Sequence, residues 1–234
     1  MHVPDGFLDP ATSVATGALA VGVVALAIRR AERELDDRAA PLAGLTAAFV
    51  FAAQMINFPV AGGTSGHLIG AVLTAVLVGP WTAILCMTVV LLVQAVLFAD
   101  GGLTALGTNV TLMAVVSVVL GYGVFRLLTA VLPRTRGGLL AAAATAAFLS
   151  VPAAALAFVA LFAVGGVAGV PLGAVAAAMG GVHLLIGVGE AAITVAVLGA
   201  VLAVRPDLVH GATHLHQAAP LQSRAEPVGA GITR

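Results

Sequence analysis

The sequence predicts an all-α, polytopic membrane protein of about seven transmembrane helices, with its N-terminus outside and folded inward and its C-terminus cytoplasmic. Three observations carry this reading. Hydrophobic residues are 61% of the 234 and charged residues only 9%. The mean hydropathy is +1.13. Charge is confined to short intervals between long apolar runs. That is more apolar surface than one soluble core can bury, so the solvent is lipid.

Residues 11–28, 42–58, 81–99, 110–125, 139–164 and 191–204 carry no charge, and each supplies most or all of the roughly 20 residues that a bilayer core requires. A shorter apolar segment, residues 67–78, lies between two glycine-bearing breaks and is expected to be the third span. The last helix is expected to start near Ala174 and to run through His183 and Glu190. Residues 29–38 carry mixed charge and read as a cytoplasmic helical extension ahead of Pro41. Residues 1–204 thus form the transmembrane domain. Residues 205–234, rich in Pro, Gly, Ala and polar residues without periodicity, are expected to be a disordered cytoplasmic tail in which His210, His214 and His216 are incidental.

Orientation follows from arginine. The chain has no lysine, and alternating spans from an outside N-terminus place Arg29, Arg30, Arg33, Arg38, Arg126, Arg134, Arg136, Arg205, Arg224 and Arg234 on the cytoplasmic side, as the positive-inside rule requires. The opposite topology puts all of them outside.

A net charge of zero gives no footprint for nucleic acid. Cys86 is the lone cysteine, so one chain can build neither a disulfide nor a multi-thiolate metal site. The opening Met1-His2-Val3-Pro4-Asp5-Gly6 lacks the basic stretch of a signal peptide, and Met1 is expected to remain in place. Without lysine the chain cannot form a P-loop, so any ATP hydrolysis belongs to a partner and the chain itself is not expected to be an enzyme.

Polar groups within a membrane are costly, so their placement is informative. Gln54 and Asn57 end the second span, His67 opens the third, Gln94 lies in the outer half of the fourth, Asn109 starts the fifth, and His183 lies in the outer part of the last. All converge on the outer side. Each alone also fits interhelical hydrogen bonding, but six in one stratum are better explained by a site. The outer connections are glycine-rich, among them Ala61-Gly62-Gly63-Thr64-Ser65-Gly66, as loops that fold inward tend to be. Glu190, seven residues beyond His183, shares its helix face deeper in the membrane, where it serves packing or a second layer of contacts.

The first two residues offer a chelate. A free α-amine, the amide nitrogen of residue 2 and the imidazole of His2 close adjacent rings on one ion, and a second imidazole such as His67 can add a fourth nitrogen. Such a donor set suits Ni(II), Cu(II) or Co(II), whereas Mg(II) and Ca(II) take oxygen. Proton competition is expected to weaken binding below the α-amine range of roughly 7.7–8.0.

Met1 to Leu8, Gln54-Met55-Ile56-Asn57-Phe58-Pro59-Val60 running into Gly62-Gly63-Thr64-Ser65-Gly66-His67, Gly79-Pro80-Trp81, Gln94-Ala95, Phe98-Ala99-Asp100-Gly101-Gly102, Gly107 with Asn109, and His183 with Gly187 and Glu190-Ala191 resemble the membrane-embedded substrate-binding subunit of cobalt and nickel energy-coupling-factor transporters, over roughly residues 1–204. The resemblance implies a seven-helix subunit in the cell membrane of a prokaryote. It implies Co(II) or Ni(II) as transported substrate, with no organic cofactor, held by the Met1 amine, the His2 amide and ring, and His67. Asn57, Thr64, Ser65, Gln94, Asn109, His183 and Glu190 would line or support the site. The implied partners are a transmembrane coupling subunit, cytoplasmic ATPases and a small accessory membrane subunit. If cobalt is the cargo, its uptake serves cobalamin synthesis.

Two other readings compete. Gly63-Thr64-Ser65-Gly66 with His183 fits an intramembrane serine protease, which leaves His2 and His67 without a role. A secondary metal carrier needs an ion relay, and below Glu190 no ionisable residue follows until Arg205.

Overall fold

The computed structural model describes residues 1–35, 39–60 and 65–213, and of Phe58, Pro59 and Ser65 the main chain alone. It is a helical bundle. Helix α1 (Pro10–Ala31) is capped by Asp9, whose carboxylate accepts from Thr12 N at 2.7 Å, with Pro10 opening the first turn. The expected helical extension beyond it stops at Ala31. There the chain turns so that Glu34 caps another helix, while Arg38 lies outside the described residues. Helix α2 (Ala39–Gln54) holds Pro41 within its first turn, where a missing N–H costs nothing.

Helix α2 ends four residues before the expected boundary, because Pro59 disfavours helix at Phe58. The chain instead forms a two-stranded antiparallel ladder, β1 (Phe58–Pro59) with β2 (Ser65–Gly66). Helix α3 (Ala71–Val78) has eight residues, all buried, and is bounded by Gly70 and Gly79 at φ +78° and +93°. Eight residues reach about 12 Å, so α3, expected as a short third span, is too short to cross a bilayer core and is buried within the protein. Helices α4 (Pro80–Leu97), α5 (Leu106–Val131), α6 (Arg136–Gly165) and α7 (Leu172–Val204) follow. These four and α1 are long and apolar enough to cross a membrane.

Helix α5 contains a π segment, Val110–Val116, directly after Asn109, and such widened turns recur at functional positions. Helix α6 buries a run of small residues, including Ala142, Ala143, Ala146, Ala147, Ala154 and Ala155, so neighbouring helices approach it closely. The described arginines lie near or beyond the helix ends remote from residues 54–70 and 97–105, Arg126 within the last two turns of α5. Past α7 the chain does not leave the fold at residue 205: turns Pro206–Leu208 and His210–Ala212 dock under the bundle, burying Val209 and Ala212. His210 packs near Tyr122. The rest of the expected tail, with His214 and His216, lies outside the described residues.

Candidate metal centre

The first eight residues are threaded into the bundle end. Met1 and Val3 are each 1% exposed. Phe7 packs on Phe158 and Phe162 of α6, with ring centroids 5.8 and 5.2 Å away. Main-chain bonds hold the segment to two loops: Asp9 N donates to Gly165 O at 2.7 Å, Val167 N to Phe7 O at 3.1 Å, and Gly102 N to Val3 O at 2.9 Å. Asp5 accepts from Thr104 N and Oγ1 at 2.8 and 2.5 Å. The expected inward fold of the terminus is therefore present.

This threading brings His2 against His67. Nε2 of His67 lies 3.1 Å from Nδ1 of His2, with ring centroids 4.5 Å apart and both residues buried. His67 Nδ1 faces the carbonyl of Leu68 at 2.6 Å. That oxygen only accepts, so Nδ1 donates and a neutral His67 presents Nε2 as an acceptor toward His2. His2 stands between two acceptors, with Nε2 3.1 Å from Oε1 of Gln94 and Nδ1 3.1 Å from Oδ1 of Asp100, and a neutral ring has one proton for the two. The Nδ1 side of His2 thus gathers His67 Nε2 and Asp100 Oδ1 about one ring nitrogen.

Asp100 was visible in the sequence as part of the resemblance but received no role. Its place is set by Ala99 and Gly101, both in left-handed backbone with φ +51° and +95°. A Cβ at Gly101 would sit 3.0 Å from both Asn109 Nδ2 and His2 Cδ2. Asn57 Nδ2 donates to the other Asp100 oxygen at 3.0 Å. Asn109 clamps Val3, and Gln94 orients His2.

Burial pushes the Met1 amine well below its ordinary value, with Asp100 opposing, and burial likewise lowers His67 strongly and His2 less. The charge of the amine is felt at both rings, and His183 at His67, so terminus and imidazoles share one environment. For Asp100, burial pushes the carboxyl up, but the contacts with His2 and Asn57 outweigh it and hold it below the usual range. A cleft of about 340 Å3 lined by His2, Pro4, Asp5, Ala99, Asp100, Gly101 and Gly102 opens beside the rings.

Among the remaining predicted residues, His183 is fully buried, and its Nδ1 donates to Met179 O at 2.8 Å. Its Nε2 has no hydrogen-bond partner among the described residues. Glu190 does not touch the two rings; it accepts from Ile69 N and Gly70 N. Thr64 and the side chain of Ser65 lie outside the described residues. Among the described residues no cluster of three or more His, Cys, Asp or Glu is placed to hold a metal ion through side chains alone.

The family model for the cobalt uptake substrate-specific transmembrane region matches residues 2–208. The chain belongs to this family. A protein of Haloquadratum walsbyi whose name assigns it to metal transport is 39% identical over 209 residues, covering 89% of this chain and 93% of the relative. A fused nickel transport protein of Rhodobacter capsulatus is 43% identical over 127 residues, 54% of this chain and 37% of the relative. A crystal structure described as a truncated transition metal transporter superposes with a TM-score of 0.81 at 33% identity, covering 87% of this chain and 99% of that one. These relatives carry metal transport names, and the five helices long and apolar enough to cross a membrane fit a multi-pass membrane protein. Membership in the family removes the ground for the serine protease.

Proposed function

We propose that this protein is the substrate-specific membrane subunit of an ATP-driven importer of Co(II) or Ni(II) in the cell membrane of a prokaryote. With Met1 as the chain terminus, the ion is held by the Met1 amine, the deprotonated His2 amide, His2 Nδ1 and His67 Nε2. The observation that carries this reading is the 3.1 Å approach of two imidazole nitrogens beside a buried terminal amine. Two imidazoles bound at roughly 2.0–2.1 Å in adjacent positions stand about 2.9 Å apart, so little movement is needed.

The arginines at the far ends of the helices favour an orientation with the site outside, where the cleft beside His2 admits the ion. The absence of lysine from the whole chain denies it a P-loop, which supports separate cytoplasmic ATPases joined through a transmembrane coupling subunit. A small accessory membrane subunit completes the proposed assembly.

The test is uptake of labelled Co(II) and Ni(II) by proteoliposomes or cells carrying the protein with and without its genomic partner ATPases. The expected result is uptake that needs ATP and His67. Uptake that persists without any ATPase and collapses with the proton or sodium gradient would establish the secondary carrier.

A further inference from the structure

We propose that Glu190 is a positioning residue for the ion: from α7 it anchors the main chain at residues 69 and 70 and so sets where the His67 ring stands. This rests on the metal-site reading given above.

Glu190 is 2% exposed, midway along α7. Each carboxylate oxygen takes one main-chain donor from 120 residues or more away in sequence: Oε2 accepts from Ile69 N at 2.8 Å and Oε1 from Gly70 N at 2.5 Å. Both N–H groups stand at the start of α3, where helical donors have no intrahelical partner. The left-handed turn at Gly70 presents two consecutive amides to one carboxylate. Only glycine fits this turn, since a Cβ at Gly70 would meet Val50 Cγ2 at 2.7 Å.

From the other side Gln54 Nε2 donates to Ile69 O at 2.7 Å, so both main-chain groups of Ile69 are held by side chains. One residue earlier, the Leu68 carbonyl accepts from His67 Nδ1 at 2.6 Å. That bond fixes the ring's tautomer and leaves Nε2 bare toward His2. A continuous line of short hydrogen bonds thus runs from Glu190 and Gln54 through residues 68–70 to the ligating nitrogen. Partners of this kind orient metal-binding imidazoles and tune affinity without touching the ion.

The bland alternative is that Glu190 merely caps α3. The structure supplies a matched control. Glu34 makes the same kind of capture at the opposite end, accepting from Trp81 N at 3.3 Å and Thr82 N at 2.7 Å at the start of α4, with no route to His67. A pure capping role predicts similar consequences for the two carboxylates; positioning predicts that only Glu190 reaches the ion.

The experiment is titration of the purified full-length protein in detergent with Co(II) and Ni(II) chloride, reading affinity, the visible absorption of the bound ion and thermal melting. The set is wild type, Glu190→Gln, Glu190→Asp, Glu34→Gln and His67→Ala. A glutamine keeps one acceptor and turns an NH2 against a main-chain N–H; an aspartate keeps the charge but falls a methylene short.

The expected result is affinity weaker by roughly 10–100-fold in Glu190→Gln, an intermediate loss in Glu190→Asp, a displaced absorption band in both, and neither change in Glu34→Gln. Unchanged affinity and spectrum in a folded Glu190→Gln overturns the inference, as does an equal loss in Glu34→Gln. Should Glu190→Gln fail to fold, Glu190→Asp is read by the same criteria. Wild-type binding that His67→Ala leaves intact would instead overturn the metal site itself, and this inference with it.

Discussion

The side-chain amide of Asn109 pairs with both main-chain groups of Val3: Val3 N donates to its Oδ1 at 2.8 Å and its Nδ2 donates to the Val3 carbonyl at 3.2 Å. Asn109 thus acts toward the N-terminal segment as a neighbouring strand would. Because Val3 follows His2 directly, the clamp fixes the direction in which the His2 peptide unit leaves the site. It also closes the buried main chain's hydrogen-bonding needs, with Gly102 N sharing the same carbonyl.

Replacing Asn109 with leucine leaves the Val3 N–H buried without a partner, at about 1–3 kcal/mol, while the carbonyl keeps Gly102. Co(II) or Ni(II) affinity is expected to fall by roughly 10–100-fold in a protein that still folds. Calorimetric titration checks this, and unaltered affinity in folded Asn109→Leu would show that other contacts place the terminus.

For the rings, His67→Ala is expected to abolish high-affinity binding and Ser65→Ala to leave it largely intact, since an imidazole facing His2 at 3.1 Å is a ligand and a neighbouring hydroxyl at most orients. His183→Ala should weaken binding without eliminating it: its Nε2 has no hydrogen-bond partner among the described residues and suits a hydrogen bond from the bound amine. A visible spectrum altered in kind by His183→Ala would make that nitrogen a ligand. Retained tight binding in His67→Ala would sink the site.

Much of this arrangement was legible in the sequence. The apolar runs gave the long helices, Gln54, Asn57, His67, Gln94, Asn109 and His183 stood out as polar groups in one stratum, and Met1 with His2 stood out as a chelating start. What periodicity could not give was the difference between lipid and protein as surroundings: residues 71–78 are as apolar as a span because they are buried on every side, and the left-handed glycines at 70 and 79 cut them short. Nor could it give long-range pairs. Asp100 touches His2 because a turn at Ala99 and Gly101 aims it there, and Glu190 meets Ile69 across 121 residues. The one available signal for Asp100 was a carboxylate ahead of two glycines in an otherwise uncharged loop.

A chelate built on the α-amine exists only at a true chain terminus. Adding Gly-Ser before Met1 converts the amine into a peptide nitrogen and forces two more residues into space where Met1 is already 1% exposed. The extended protein is expected to purify without metal and to show no melting shift with Ni(II), while its melting in the absence of metal stays close to that of the native-start form. The native-start form should carry metal and gain stability on loading. Full metal occupancy in the extended protein would remove the amine from the ligand set.

Proton release separates the ligands further, and burial of the terminus moves the expected pH window toward acid. An ordinary α-amine, at roughly 7.7–8.0, is mostly protonated at pH 7, so binding through it and the His2 amide would expel close to two protons per ion. In the folded protein, burial lowers the amine well below that range and lowers His67 well below its own. A depressed value means that these groups hold their protons less tightly than exposed ones, so proton competition sets in at lower pH than an unburied terminus would give. Proton release per ion at pH 7 is therefore expected to be smaller than the two that an exposed amine and the His2 amide would give, and to climb as the pH falls. Affinity falls in the same direction, by linkage. Titrating Ni(II) calorimetrically in buffers of different ionisation enthalpy counts the protons directly. Release that does not climb toward acid pH would mean that burial does not lower the amine, and no release at all would mean that the His2 amide keeps its hydrogen and is not a ligand.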